Sequence, residues 1–393
     1  MNLLTVSPYF ESHRGGVEIV AGRLGRELAR RDVEVRWIAT DASPPPEAPP
    51  STPIRAWNFA ERRLGIPYPL PSPGAARAIG RAVSQADAVL VHDALYATSV
   101  LSVLAARRRG KPVLLVQHIG QIPYRGFIPR TLMAIANAIV ARSLLRRVDQ
   151  VVFISDVAAR YFADVRFRRP PAMIFNGVDA AVFRPADALE RAGMRRELGL
   201  ADARPQALFV GRFVEKKGLR HMQRLAALRP DVDFNFAGWG QLDPETWGAA
   251  NVRVFRGLSG ASLARLYQAC DVLVLPSVGE GYPLVVQEAL ACGLAVVCGE
   301  EVTRADPAAA PYLRGAPIDD DPGATAAALS QALDGALADA GSKAERASFA
   351  LGRYAWETAA QRYIELLEAL MATPSERAAQ NERRADLNHA AAS

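Results

Sequence analysis

The chain has 393 residues, half of them hydrophobic, with 47 Lys and Arg against 41 Asp and Glu for a net charge of +6. This length exceeds what one hydrophobic core ordinarily supports and suits two domains. The first residues lack a basic segment followed by a long apolar one, and no apolar run approaches the roughly 18 residues of a membrane span, so we expect a soluble, cytoplasmic protein.

The first half of the chain alternates between apolar runs of strand length and helical stretches. The run "LLTV" precedes helical spacing from Gly16 to Arg31, and "VEVRWIA", "AVLV", "PVLLVQ", "QVVFIS" and "AMIF" follow with helical segments between them. Such alternation is typical of βαβ units and predicts a parallel sheet covered on both faces. The Pro-rich stretch from Asp41 to Pro53 is predicted to be a loop.

The pattern breaks in a polar segment between Pro185 and Pro205 and then restarts with "ALFV", "DFNFAG", "VRVF", "DVLVLP" and "LAVVC". We therefore predict an α/β fold with two doubly wound parallel sheets, one over residues 1–185 and one over 186–355. Open sheets of this kind bind ligands beyond the carboxyl ends of their strands, so the two sheets are expected to face each other across a cleft. The polar residues 373–393 are predicted to form a mobile tail.

Three cysteines, Cys270, Cys292 and Cys298, lie among apolar residues without the spacing of metal ligands. They are interpreted as small buried hydrophobes, and neither a disulfide framework nor a metal site is expected.

The charge is distributed unevenly along the chain. Residues 1–185 carry 25 Lys and Arg against 14 Asp and Glu, whereas the remainder carries 22 against 27. A basic half of a protein attracts anions, which include nucleic acid, anionic lipid headgroups and phosphorylated substrates. The sequence contains no nucleic-acid-binding motif, and for each cluster of Lys and Arg taken alone a solvated basic surface is the simpler explanation.

The stretch "GEGYPLVVQE" sets Glu280 and Glu288 on either side of a Gly and Pro turn that follows the strand "DVLVLPS". Pro283 is predicted to be the first helical residue, which leaves the next amides free as donors at a helix N-terminus. An anion that carries sugars at both ends would suit two flanking carboxylates, since each accepts hydroxyl hydrogens. The competing interpretation is an acidic helix start in which Glu288 is merely solvated.

A second motif, "FVGRFVEKKG", places Arg212 and Lys217 on a loop between a strand and a helix. A guanidinium fork and an ammonium group in one loop match the charge of a diphosphate, and Lys216 is an alternative cation. Taken alone, the motif also fits an ordinary polar connection.

Together these motifs resemble the family 4 retaining glycosyltransferases of GT-B fold. The family's E-x7-E motif is matched by Glu280 and Glu288, and its G-R-x4-K-G loop runs here from Gly211 to Gly218. The pieces "GGVE", "QH", "FISDVAARYF", "FNGVDAAVFRP", "ARLYQACDVLVLPS" and "YAWETAAQRYIELL" follow in the family's order, so the resemblance extends to about residue 371. The pattern is lost over residues 299–317.

The resemblance implies roles for individual residues. Arg212 and Lys217 would bind the nucleotide diphosphate, and Glu288 would hold the ribose hydroxyls. The donor sugar would be held by Glu280 and by the backbone of the residues after it, namely Gly281, Tyr282, Pro283 and Leu284. The glycines that approach the phosphate are matched by Gly15 and Gly16, and the histidine near the reacting sugar carbon by His118.

The resemblance also implies an activity. A hexosyl group would pass with retention from a nucleotide-diphosphate sugar to the hydroxyl of a saccharide or a lipid-linked saccharide, in cell-envelope polysaccharide or glycolipid synthesis, without a cofactor or an obligatory metal. Residues 356–372 would form a helix that packs back toward the N-terminal domain. A sugar-nucleotide epimerase of the same fold and a non-catalytic nucleotide-sugar-binding module are the alternatives.

One helical segment, Phe127 to Arg147, mixes an apolar stripe with basic residues at Arg142, Arg146 and Arg147. Such a segment packs into a core with a basic rim, and its face also suits contact with an anionic membrane surface. Peripheral association with the inner face of the membrane is therefore a further expectation.

Overall fold

The computed structural model describes residues 1–59, 68–120, 127–339 and 343–372, and the predicted tail at 373–393 lies outside them. Two large parallel sheets organise these residues, one of seven strands and one of six, which confirms the predicted pair of doubly wound sheets. A two-stranded antiparallel ribbon, β4 with β5, accompanies the first sheet.

The first sheet has the strand order β3-β2-β1-β6-β7-β8-β9, with every neighbouring pair parallel. Its central strands are continuous apolar runs because helices cover both faces. The strands of this half are β1 Asn2–Val6, β2 Glu34–Thr40, β3 Ser51–Ile54, β4 Ala56–Trp57, β5 Leu70–Pro71, β6 Ala88–His92, β7 Val113–Gln117, β8 Gln150–Phe153 and β9 Ala172–Met173.

The helices of this half connect the parallel strands. One long helical segment, α4, continues through the π-helical turn Asn137–Ala141 into α5. At α6, Ser155 is the N-cap, and its hydroxyl accepts the N–H of Ala158. The helices are α1 Gly16–Ala29, α2 Ala75–Gln85, α3 Ala97–Arg108, α4 Phe127–Ala136, α5 Arg142–Leu145 and α6 Asp156–Tyr161.

The second sheet has the order β12-β11-β10-β13-β14-β15, and its neighbouring strands are likewise parallel. The strands are β10 Gln206–Phe213, β11 Asp233–Gly240, β12 Val252–Phe255, β13 Val272–Leu275, β14 Ala295–Gly299 and β15 Leu313–Ala316. The helices are α7 Ala188–Leu198, α8 Leu219–Leu228, α9 Gly260–Ala269, α10 Leu284–Ala291, α11 Glu300–Thr303, α12 Pro322–Ala338, α13 Lys343–Tyr354 and α14 Trp356–Met371.

Each sheet has its own core, but the chain passes between them twice. Phe175, Val178 and Phe183 already belong to the core of the second sheet. In the other direction, α14 returns to the first sheet, where Trp356 and Leu367 are buried in the same apolar cluster as Leu24 of α1.

The two crossings lie side by side. The N–H of Val178 donates to the carbonyl of Tyr354 at 2.5 Å, and the N–H of Trp356 donates to the carbonyl of Val178 at 3.2 Å. These two hydrogen bonds join the two crossings of the chain.

The three cysteines are free and buried, as predicted. Among the described residues, no helix combines the length and the apolar character needed to cross a bilayer.

Candidate active site

The turn between β13 and α10 carries the two acids of the first motif. Gly279 adopts a left-handed φ of 64°, and its N–H donates to a carboxylate oxygen of Glu301 at 3.3 Å. Pro283 is the N-cap of α10 and precedes its first helical residue, Leu284. The predicted position of Pro283 was therefore wrong by one residue, because the ψ of 129° at Pro283 is extended. Leu284 and Val285 begin the helix, so their amides have no acceptor within it, whereas the N–H of Val286 donates to the carbonyl of Pro283 at 3.1 Å.

The loop after β10 packs directly against this turn. Gly218 has φ 78°, and a Cβ on it would lie 2.4 Å from the carbonyl oxygen of Pro276. The N–H of Val278 also donates to the carbonyl of Lys216 at 3.1 Å. Glycine at position 218 therefore allows the two motifs of the sequence to meet.

The consequence is an ion pair between the motifs. Lys217 Nζ lies 3.0 Å from Glu280 Oε1, and Lys216 Nζ lies 3.6 Å from the same oxygen. Burial alone would raise the pKa of Glu280, but the two ammonium groups outweigh it and lower that pKa. Glu280 is therefore a carboxylate at neutral pH, and both lysines face it.

Arg212 occupies a different position from the one predicted. It lies within β10, because β10 pairs with β11 as far as Phe213 and Arg212 stands beside Trp239 in register. Its side chain is exposed. Arg212 also acts electrostatically on Glu18 of the first domain, so it faces the cleft although it is not in the loop.

Glu288 is buried in the second turn of α10 and meets a residue of the other domain. Its Oε2 accepts the hydroxyl of Tyr267 at 3.1 Å, and its Oε1 lies 3.6 Å from Nη1 of Arg23 on α1. Burial raises the pKa of Glu288, while Arg23 and the Tyr267 hydroxyl lower it in part. The interpretation of Glu288 as a solvated helical residue is excluded, since it is 4% exposed.

The glycines of the first domain lie at the start of α1. Gly15 is the N-cap, and a Cβ on it would lie 2.1 Å from a carboxyl oxygen of Glu18, whereas a Cβ on Gly16 would meet nothing within 4 Å. Burial raises the pKa of Glu18 to about 7, against the opposing effects of its own N–H and of His13. Gly16 is thus open to a ligand, while Gly15 lies beneath the carboxyl of Glu18.

His118 follows β7 and is buried beside a second histidine. Its Nε2 lies 3.1 Å from Nδ1 of His92, the last residue of β6. Burial lowers the pKa of His118 to about 3 and that of His92 well below its usual range. Both rings are therefore neutral at physiological pH, and one donates a hydrogen bond to the other.

The two halves of the site touch at the backbone. A Cβ on Gly281 would lie 2.2 Å from the carbonyl oxygen of His118, so glycine allows the β13–α10 turn to approach the end of β7. The guanidinium of Arg14 lies 5.2 Å from the ring centre of Trp239, and the N–H of Asp156 donates to the carbonyl of Ala305 at 2.8 Å. The last contact involves residues 299–317, where the family pattern is lost.

Tyr282 points away from the cleft. It is 2% exposed, its hydroxyl lies 3.2 Å from that of Tyr354, and Tyr354 in turn donates to Asp306 at 2.6 Å. Only the backbone of Tyr282 is left to face a ligand. Through Tyr354, its side chain connects the turn to the junction between the domains.

The structure thus brings Glu280, Lys217, Gly281 and His118 together, and it places Glu288 with Arg23. Sequence reasoning missed Arg23 and His92. Arg23 follows Gly16 by seven residues, or two helical turns, which puts both on one face of α1. His92 ends the apolar run "AVLVH", as His118 follows "PVLLVQ". Within the described residues no group of three side chains could hold a metal ion.

Comparisons with known proteins agree with this arrangement. The family model "Glycosyltransferase Family 4" matches residues 14–182, and the model "Glycosyl transferases group 1" matches residues 190–350.

Two relatives are named D-inositol 3-phosphate glycosyltransferase. The protein from Mycolicibacterium gilvum is 28% identical over 323 residues, covering 72% of this chain and 69% of the relative. The protein from Mycobacterium tuberculosis (strain ATCC 25177 / H37Ra) is 28% identical over 322 residues, covering 72% of this chain and 64% of the relative. The matched region thus spans about two thirds of the length of these relatives.

Solved structures show the same fold. Sucrose-phosphate synthase from Thermosynechococcus elongatus superposes with a TM-score of 0.73 at 20% identity, over 94% of this chain and 99% of that one. Anabaena Alr3699/HepE, solved in complex with UDP and glucose, superposes with a TM-score of 0.69 at 16% identity, over 94% of this chain and 100% of that one.

Proposed function

The chain belongs to the family 4 glycosyltransferases of GT-B fold, and from this premise we propose that it is a retaining hexosyltransferase. It moves a hexosyl group from a nucleotide-diphosphate sugar to an acceptor hydroxyl. The observation that carries the proposal is the cluster at the start of α10, where Lys217 and Lys216 surround the carboxylate of Glu280. The backbone of His118 on the other domain lies against the same turn.

The proposed donor site follows from the charges. The diphosphate lies against Lys217, Arg212 and the free amides at the start of α10, with Gly16 close to it on the other domain. Glu288 accepts the ribose hydroxyls, and Glu280 accepts hydroxyls of the sugar that is moved. The fixed donors are already in place before the bond to the leaving diphosphate breaks, so they stabilise its growing negative charge.

Neutral His118 suits a position beside the reacting sugar. A ring with a pKa of about 3 carries no charge at neutral pH, so it neither repels the lysines nor competes for the diphosphate. With one nitrogen facing His92, the ring has the other free to bond a sugar hydroxyl. We assign the acceptor hydroxyl's proton to the departing diphosphate, which needs no metal ion and no cofactor.

The acceptor binds to the first domain in this proposal. We propose a saccharide or a lipid-linked saccharide, used in cell-envelope polysaccharide or glycolipid synthesis at the cytoplasmic face of the membrane. The excess of basic residues in residues 1–185 supports an anionic surface as a partner. The family match does not favour the epimerase or the binding-module alternative.

A panel of nucleotide sugars tests the proposal. We expect one of them to release its nucleoside diphosphate in the presence of the protein, more slowly with Lys217→Ala, and NMR of the glycoside formed on an added saccharide acceptor to show the anomeric configuration of the donor. An inverted product would contradict retention. Interconversion of the donor sugar without nucleotide release would indicate an epimerase instead.

A further inference from the structure

In the helical segment formed by α4, the π-helical turn and α5, every exposed side chain among the described residues 133–145 is apolar. Its four members are Ala134, Ile135, Ala138 and Ile139, which we call the Ile135–Ile139 face. All four are exposed, and Ile135 and Ile139 retain 50% and 65% of their accessible surface. Exposing branched aliphatic side chains to water is unfavourable, so a contiguous group of them indicates an interaction surface.

The opposite face of the segment is fixed to the domain and to the site. Ala141, Leu144 and Leu145 are buried in the apolar cluster on one face of the first sheet. Asn137 is buried, and its side-chain amide donates to the carbonyl of Gly120 at 3.1 Å. Gly120 lies two residues after His118, so this hydrogen bond ties the helix that carries the Ile135–Ile139 face to the segment that follows His118.

The far end of the segment is basic. The guanidinium of Arg107, on α3, donates to the carbonyl of Arg147 at 2.6 Å, which brings the ends of two helices together. The exposed members of this arginine end are Arg107, Arg108, Arg109, Arg146 and Arg147. Two acids of this domain pair with other arginines, Asp149 with Arg168 and Asp164 with Arg142.

We propose that the Ile135–Ile139 face and the arginine end form a membrane-contact surface, and that its partner is an anionic lipid bilayer. A helix that lies in the bilayer interface buries an apolar face and places its cations near the headgroups. A second copy of the chain is the less suitable occupant, because it would bring an equally basic surface against this one.

The surface would deliver the acceptor of the proposed function, on which this last step rests. Because the segment runs from the loop after His118 to the arginine end, a bilayer against it holds a lipid-linked saccharide beside the cleft. Arg142, which the sequence put forward as a membrane residue, has a different role. Its guanidinium is held by Asp164 at 3.0 Å and by the carbonyl of Tyr161 at 3.2 Å.

Cosedimentation of the full chain with lipid vesicles tests the surface. The vesicles are phosphatidylcholine alone, or phosphatidylcholine and phosphatidylglycerol in equal parts. We expect binding to the anionic vesicles only, and a loss of about tenfold in the partition coefficient for Ile135→Ser with Ile139→Ser. Arg146→Gln with Arg147→Gln should lose about tenfold as well, since each cation near the surface contributes on the order of 1 kcal/mol.

Leu189→Ser with Leu228→Ser is the matched control. These two leucines are also exposed, at 80% and 52%, but they lie on the second domain, so the control should bind like the wild type. The surface is refuted if the isoleucine variant binds unchanged, if the control loses as much, or if the wild type does not bind. It is equally refuted if sedimentation equilibrium shows that the wild type is a dimer and the isoleucine variant is a monomer.

Donor hydrolysis separates this proposal from the proposed function. With water as the acceptor, nucleotide release should be the same in the wild type and in both surface variants, because none of the substituted residues lies in the donor site. A wild type that binds vesicles but releases no nucleotide from any donor would refute the proposed function and leave the membrane surface standing.

Discussion

Glu280 and Glu288 have different partners although both are buried. Glu280 is held ionised by Lys217 and Lys216, and Glu288 meets Tyr267 and Arg23. In the proposed donor complex, Glu280 therefore lies beside the diphosphate and the transferred sugar, and Glu288 lies beside the ribose.

Substituting the two acids separately should divide donor binding from transfer. Glu288→Gln is expected to weaken binding of the free nucleoside diphosphate by about tenfold or more, since hydrogen bonds to a charged group contribute about 1.5 to 3 kcal/mol. Glu280→Gln should bind the product no more weakly than the wild type, because Lys217 loses its partner, yet it should slow turnover. Calorimetry and a turnover assay measure the two effects. Equal weakening of product binding by both would contradict this division.

Glu18 should make stability depend on pH. Its pKa rises from 4.5 to about 7 on folding, so between these values the folded chain binds a proton that the unfolded chain has lost. The stabilisation is present at low pH and disappears as the pH rises through about 7. Glu18→Gln cannot ionise, and it should melt higher than the wild type at pH of about 8 but not at about 5, with a difference of up to about 3 kcal/mol. The expectation is refuted if the melting temperatures of Glu18→Gln and the wild type differ by the same amount at both pH values.

At the scale of elements, α1 and α10 are joined across the domains by Arg23 and Glu288. Arg23→Met removes a cation that lowers the pKa of Glu288, so the pKa of that carboxyl should rise further in the variant. We expect nucleoside diphosphate affinity to fall by about fivefold at neutral pH and to recover as the pH rises. Arg23→Lys is the matched control and should retain the wild-type affinity. A loss that is the same at every pH would point to a purely structural effect.

The elements were more predictable than their contacts. The apolar runs of β6, β7 and β13 and the helical spacing after Gly16 identify the sheets, because buried parallel strands need continuous apolar sequence. The ion pair of Lys217 with Glu280 was not predicted, since it depends on how Gly218 lets one loop pack on another turn. Arg23 was missed for a similar reason: its partner lies 265 positions away, and no local pattern records how two domains dock.

At the scale of the whole molecule, Gly281 and the backbone of His118 form one of the closest contacts between the domains. The φ of Gly281 is not left-handed, so its backbone conformation is one that alanine can adopt. The Cβ of an alanine at this position would nevertheless lie 2.2 Å from the His118 carbonyl oxygen. We expect a saturating nucleotide sugar to make the wild type more compact in small-angle scattering, and Gly281→Ala to show less compaction and slower transfer.

A matched control for this closure is Gly335→Ala, on α12, where an added Cβ meets nothing within 4 Å. It should compact on donor binding as the wild type does. Identical scattering of the wild type with and without donor would remove the support for closure.

The return of α14 to the first sheet has a consequence for how the protein is made. Trp356, Tyr363 and Leu367 fill the apolar cluster that α1 also lines, so the first domain to leave the ribosome is the last to be completed. Until residue 371 has been synthesised, Leu24 and Leu28 of α1 lack the side chains of α14 that bury them. A nascent chain that stops earlier therefore leaves them partly exposed to water. A fragment of residues 1–174 should therefore aggregate when expressed alone, and a peptide of residues 355–372 supplied in trans should keep it in solution. A soluble, cooperatively folded fragment without the peptide would show that the first domain folds stably without α14.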